Sequence, residues 1–335
     1  MPQKDNDSQL EEFRYDAKLF KQAYRAGLKA KRLEEESRRS KHLRILFGSI
    51  TVILVLFLTS LLLRSSLFNK DNYIKAFSKS EQFSTVKTEF ESAPLSKNDF
   101  DLSKIDSKAA LYANLDTGQI YYSKNIDEKR YIASLSKLMT ALIALKEYEL
   151  EEQVEVKKDW YQEEYVGWSI ELDKGDKISV ENLIKAMLIS SYNDASYILA
   201  EHIEGGVDAY VEQMNIFGNR LGLENTEFNN PSGLDDNGGN FSSVRDLYKI
   251  ATVIVKNETL MGILNQGYAD LVWDIGEERI YSTNALLGQN GIIGGKTGYT
   301  EDAGECYLAI TDKNEVIIIL GSEERFDDAE KMLKM

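Results

Sequence analysis

Ala133-Ser134-Leu135-Ser136-Lys137-Leu138-Met139-Thr140-Ala141-Leu142-Ile143-Ala144-Leu145 carries Leu138, Leu142 and Leu145 at i, i+4 and i+7. That spacing predicts a buried helix from Ser134 to Tyr148, with Ser134 and Lys137 at its start. Serine is a poor nucleophile at its own pKa and needs a base within hydrogen-bond reach. Residues three apart share a helix face, so Lys137 can be that base if burial or a nearby cation keeps its amine unprotonated. Two more strings follow, Ser191-Tyr192-Asn193 and Lys296-Thr297-Gly298. Ser-x-x-Lys recurs at Ser84 to Lys87 and Ser-x-Asn at Ser96, Ser123 and Ser282, whereas Lys-Thr-Gly occurs once, so order and context must select among them.

Around this helix the pattern alternates. Two strand-like runs, Ala109 to Leu115 and Gln119 to Tyr122, flank Asp116-Thr117-Gly118 and predict a hairpin. Helices are expected at 180–189, 194–204, 207–221 and 243–256, the last opened by Ser243 with Asp246 three residues on. Strands return at 306–311 and 315–321, and a final helix at about 326–334. Ser191 and Asn193 then fall in the joint between two helices, where both side chains can enter one cleft. Lys296-Thr297-Gly298 follows Gly291, Gly294 and Gly295, as expected of a strand edge that a substrate backbone can approach closely. The order predicts a mixed α/β (α+β) fold, an antiparallel sheet holding both ends of the domain with helices packed on it.

The flanks define the setting. Residues 45–63 run without a charge, roughly 28 Å of helix against a hydrocarbon core of about 30 Å. We read them as an uncleaved signal anchor. Arg38, Arg39, Lys41 and Arg44 crowd its N-terminal side, so residues 1–44 are expected in the cytoplasm and the rest outside a single-pass membrane. Residues 8–40 carry Leu10, Phe13, Ala17, Phe20 and Tyr24 at helical spacing amid dense charge, either a solvated amphipathic helix or one that meets a cytoplasmic partner or a second copy. Residues 64–100 read as a stalk, and 101–335 as one extracytoplasmic domain. From 65 onward 27 Lys/Arg face 47 Asp/Glu, which argues against nucleic acid as a partner. Cys306 is the one cysteine, so no intramolecular disulfide exists, and it reads as a small buried strand residue. Only His42 and His202 are present; a Ser-His-Asp triad would need His202, which reads as a helix-end residue, and no metal or other cofactor is implied.

With these strings in order, the chain resembles the D-alanyl-D-alanine carboxypeptidase branch of the low-molecular-mass penicillin-binding proteins, within the serine β-lactamase-like superfamily. The likeness spans about 103–335 and rests on Ala133 to Thr140, Ser191-Tyr192-Asn193-Asp194-Ala195, Asn230-Pro231-Ser232-Gly233-Leu234-Asp235, and Gly295 to Thr300 with Ala303-Gly304-Glu305-Cys306. It implies that Ser134 forms an acyl-enzyme on a terminal D-Ala-D-Ala peptide of bacterial peptidoglycan, with Lys137 as general base. Ser191 would relay a proton between Lys137, Lys296 and the leaving amine, and Asn193 would bind the substrate amide. Lys296, Thr297 and Arg325, with Gly298 beside them, would receive the terminal carboxylate. The backbone N–H groups of Ser134 and Tyr299 would form the oxyanion hole, and β-lactam antibiotics would acylate the same serine.

Three features depart from the pattern. Tyr192 is bulkier than the small residue usual there, and Asn240 stands where a histidine often precedes a Ser-Ser/Thr pair. With the chain ending at Met335, the N-terminal anchor is expected to replace the C-terminal β domain and amphipathic helix of such proteins. A D,D-endopeptidase of peptidoglycan cross-links is the neighbouring reading. A β-lactamase needs a deacylating glutamate of the form Glu-x-x-Leu-Asn, and Glu224 to Asn229 has the wrong spacing. An inactive scaffold of the same fold is the third alternative.

Overall fold

The computed structural model describes residues 105–235 and 238–335. The expected cytoplasmic helix, membrane anchor and stalk lie outside the described residues. Among those described, no helix is long and apolar enough to cross a membrane.

The described residues open on the expected hairpin, β1 (Ala109–Asn114) and β2 (Ile120–Lys124), and then a short strand β3 (Arg130–Tyr131). A 3₁₀ turn, Ala133–Leu135, leads directly into α1 (Ser136–Glu147). Every residue from Ser136 to Ala144 is buried, as fits a helix that is apolar nearly all round. Next come β4 (Gln153–Glu155), β5 (Lys177–Ser179), α2 (Val180–Ile189), α3 (Asn193–His202) and α4 (Gly206–Arg220). Then follow β6 (Phe241–Ser242), α5 (Val244–Ile254), α6 (Glu258–Leu264), and a second hairpin, β7 (Tyr268–Trp273) and β8 (Gly276–Tyr281). The chain closes with β9 (Ile292–Thr300), β10 (Gly304–Thr311), β11 (Glu315–Ser322) and α7 (Arg325–Leu333).

The main sheet is antiparallel, in the order β2-β1-β11-β10-β9, so strands from both ends of the domain share it, as expected. Both faces are covered. Val316, Ile318 and Leu320 of β11 point into the large core around α1, while Ile317 and Ile319 meet Ala329 and Met332 of α7 on the other side. Double burial explains why β11 reads as an unbroken apolar run. Cys306 is fully buried on β10, as its sequence context predicts, and burial pushes its thiol up to about 11.

A second sheet, β4-β5-β7-β8, and helix α6 were not anticipated. β4 and β5 have three residues each, and β8 reads Gly-Glu-Glu-Arg-Ile-Tyr, so neither periodicity nor apolarity marks them. Ser243 caps α5 as expected, accepting from Asp246 N. The Asp246 carboxylate does not return the bond; it accepts from Asn225 N and Thr226 Oγ1 and ties the preceding loop to the helix.

Candidate active site

Ser134 lies in the 3₁₀ turn, where residues i and i+3 eclipse, and this brings Lys137 of α1 beneath it. Lys137 Nζ is 2.8 Å from Ser134 Oγ and 2.7 Å from both Asn193 Oδ1 and Ser232 O. Its side chain is wholly buried. Burial, then the charge of Lys296, holds the amine well below the ordinary lysine range, and Asp194 opposes them weakly. An unprotonated lysine has two N–H bonds and one lone pair. With Asn193 Oδ1 and Ser232 O taking the N–H bonds, the lone pair faces the serine hydroxyl.

Lys296 stands on β9, the outer strand of the main sheet. Its ammonium donates to Ser191 Oγ at 2.8 Å and to Thr297 O at 2.7 Å. Burial, then Arg325, brings its pKa down to about 7. Ser191 therefore has the expected leg to Lys296, while no direct bond joins it to Lys137 among the described residues. Thr297 Oγ1 is 2.6 Å from Thr283 Oγ1.

Backbone strain concentrates here. Ala133, next to Ser134, has φ +46°, and Ser191 has φ +64°, the left-handed region that residues with a side chain rarely adopt. Packing over-determines both. The 166–171 loop wraps the start of α3: Asn193 N donates to Trp168 O and Asn193 Nδ2 to Val166 O, while Ile170 N and Glu171 N donate to the Asp194 carboxylate. Trp168 Nε1 donates to Ser190 O, and Ser190 Oγ to Tyr281 O on β8. Tyr192 turns away to donate to Glu278 Oε1, so its bulk joins β8 to the helix joint.

Two glycines allow the close approaches. A Cβ on Gly298 would sit 2.9 Å from Ser134 N, so it is the Ser134 segment of the chain itself that passes tightly against β9. Gly233 has φ +88°, and a Cβ there would fall 1.9 Å from Ala133 O. Gly233→Ala is expected to cost about 3 kcal/mol, lowering Tm by roughly 6–12 °C; a melt within about 2 °C of the parent would contradict the packing.

The resulting cleft has a volume of about 270 Å³ and is lined by Ser134, Ser191, Asn193, Thr297, Gly298, Tyr299 and Arg325, with Trp168 on one wall. Trp168 and Tyr299 are 63% and 62% exposed at its rim. Every residue selected for the site from the sequence is in or directly behind this cleft, but the fork of Arg325 is not free there: Nη1 donates to Gly298 O and Cys306 O and Nη2 to Glu305 Oε1. Its charge reaches the site chiefly through Lys296. His202 pairs instead with Glu152 at the end of α3. The sequence reading missed Trp168, Thr283 and the Ser232 carbonyl. The last sat inside a quoted motif, but a backbone acceptor carries no side-chain signal.

Comparison with known proteins agrees with the geometry. A family model described as D-alanyl-D-alanine carboxypeptidase matches residues 94–322. The chain is 32% identical over 240 residues to the D-alanyl-D-alanine carboxypeptidase DacF of Bacillus subtilis, covering 68% of this chain and 61% of that protein. It is 32% identical over 241 residues to the D-alanyl-D-alanine endopeptidase of Escherichia coli, covering 68% and 76%. The ampicillin-bound form of penicillin-binding protein D2 from Listeria monocytogenes superposes with a TM-score of 0.62 at 29% identity, covering 70% of this chain and 98% of that one. The match thus spans about three fifths of the DacF relative's length. With the family model matching well over half of the chain and the serine, lysine and Lys-Thr-Gly strand gathered in one cleft, the chain belongs to the D-alanyl-D-alanine carboxypeptidase family.

Proposed function

We propose that the chain is a serine-type D-alanyl-D-alanine carboxypeptidase that removes the terminal D-Ala from peptidoglycan stem peptides and is acylated by β-lactams. The observation that carries this is the buried Lys137 amine 2.8 Å from Ser134 Oγ, inside a cleft that also holds Lys296. Ser134 Oγ attacks the carbonyl carbon of the penultimate residue while its proton passes to Lys137. The oxyanion is held by the N–H groups of Ser134 and Tyr299, an arrangement typically worth about 3–4 kcal/mol per donor. Collapse breaks the C–N bond, and the proton reaches the leaving amine through Ser191, whose hydroxyl Lys296 holds. Water then hydrolyses the ester. Lys296 and Thr297 receive the substrate carboxylate, Asn193 offers its remaining amide hydrogen to the substrate carbonyl, and Arg325 supports the cationic end of the cleft. We also propose residues 45–63 as a membrane anchor that places this domain outside the cell.

Incubating the purified chain with a fluorescent penicillin, then mapping the adduct by mass spectrometry, is expected to give one modification, on Ser134. No adduct, or one elsewhere, would refute the assignment. The Escherichia coli relative is an endopeptidase at the same 32% identity. The second arm therefore compares D-Ala release from a pentapeptide with cleavage of a cross-linked dimer: preferential release of D-Ala supports the carboxypeptidase, and preferential cleavage of the dimer transfers the proposal to the endopeptidase.

A further inference from the structure

Asn240 is 1% exposed and lies between the two halves of the acylating machinery without entering the cleft. Its backbone carbonyl accepts from Ile132 N, two residues before Ser134. Its side-chain oxygen accepts from Asn229 N at 2.7 Å and Asn230 N at 3.1 Å, and its Nδ2 donates to Asn230 O at 2.8 Å. Two acceptances and one donation fix which way the amide points. The loop so held is rigid further along: Asn230 Oδ1 accepts from Ser232 N and Gly233 N, and Thr140 Oγ1 donates to Pro231 O. Its product is a single acceptor, Ser232 O, aimed at Lys137 Nζ.

We propose that Asn240 is a positioning residue for acylation: it holds the 229–234 loop so that Ser232 O and Asn193 Oδ1 take the two N–H bonds of the Lys137 amine and leave its lone pair facing Ser134 Oγ. Asn240 touches neither substrate nor the reacting atoms. If the loop drifts, the amine can rotate one N–H toward Ser134 Oγ, and its lone pair then points at a carbonyl oxygen from which it can take no proton. An amide suits the post because it accepts and donates together and does not titrate, so its own bonds to the loop do not change with pH. A neutral imidazole offers one acceptor and one donor, enough for the shorter bond from Asn229 N and the donation to Asn230 O but not for the longer bond from Asn230 N, whereas an imidazolium offers donors alone.

The inference rests on the acylation chemistry proposed above, and the test keeps the two apart. Acylation by a fluorescent penicillin is followed in full-length parent, Asn240→Leu and Asn240→His, recording separately the rate constant and the final labelled fraction. Asn240→Leu is expected to acylate about 10–100-fold more slowly, with the labelled fraction and the initial reversible affinity unchanged. Asn240→His is expected within about threefold of the parent at about pH 8, and to fall about tenfold further than the parent does at the same pH below pH ~6.5, on top of the parent's own acidic limb. A leucine variant within about threefold of the parent overturns the proposal. If the leucine variant does not fold, a histidine variant with the parent's pH profile overturns it instead. A reduced labelled fraction in both, with the parent's rate in what remains, overturns it too, because Asn240 would then serve stability alone. An unlabelled parent refutes the acylation chemistry, a separate result.

Discussion

Lys137→Met is expected to slow acylation of Ser134 by about 10²–10⁴-fold while the labelled fraction still approaches completion at long times. Methionine keeps the length and flexibility of the lysine stem and removes only the amine. The change therefore separates the base from the packing of α1, whose surroundings are buried from Ser136 to Ala144. The base assignment depends on an amine that is unprotonated near neutrality. Burial is the larger reason for that and the charge of Lys296 the second. Stability should change little, since two effects oppose each other. Removing a buried ionisable group relieves desolvation. It also leaves Asn193 Oδ1 and Ser232 O without the N–H they accept, at about 1–3 kcal/mol each. Lys137→Arg should not rescue the rate, because a guanidinium stays protonated and presents no lone pair. The assignment fails if Lys137→Met acylates within about tenfold of the parent in a stopped-flow assay, or if arginine restores the rate.

The parts of this site that were legible in the sequence are those that depend on short spacing. Ser134 and Lys137 are three apart, so any helical turn brings them together, and the apolar stripe behind them chose this pair over Ser84 and Lys87. The hairpin at β1 and β2 and the helices α2 to α5 carried periodicity strong enough to place. The meeting of Ser191 with Lys296, 105 residues apart, was reachable only through resemblance, because nothing local in either string points to the other. Tertiary choices erased other signals. Tyr192 stood out as bulkier than the small residue usual there, and its hydroxyl is spent on Glu278. Arg325 looked like a free fork for a carboxylate, yet Gly298 O, Cys306 O and Glu305 occupy it. Ser232, Val166 and Trp168 contribute main-chain carbonyls, which any residue type supplies. The left-handed backbone at Ala133 and Ser191 was equally silent, since neither residue type favours it.

Lys296→Ala is expected to lower kcat/KM at about pH 7 by roughly 10–150-fold, the worth of a charge-assisted bond of about 1.5–3 kcal/mol, and to change the form of the pH profile. In the parent, kcat/KM reports the free enzyme's groups. The acidic limb belongs to Lys137, which works only when unprotonated, and it lies below the ordinary lysine range. On the mechanism proposed above the alkaline limb belongs to Lys296, which donates to Ser191 as a cation, would receive the substrate carboxylate, and loses its proton at about 7. The parent should therefore give a bell that begins to fall near neutrality. Removing Lys296 removes the alkaline limb. It also removes the nearby positive charge that disfavours protonation of Lys137, so the amine binds its proton more readily and the acidic limb moves up in pH. The two signs together turn the bell into a single rising curve displaced toward alkali. Arg325→Gln supplies the complementary sign: Arg325 is the second cause, after burial, of the low value at Lys296, so its loss should shift the alkaline limb upward and leave a bell. Measured on a soluble peptide ending in D-Ala-D-Ala, a Lys296→Ala profile that keeps the parent's bell at reduced height would show that the alkaline limb does not belong to Lys296 and would end this division of labour between the two lysines.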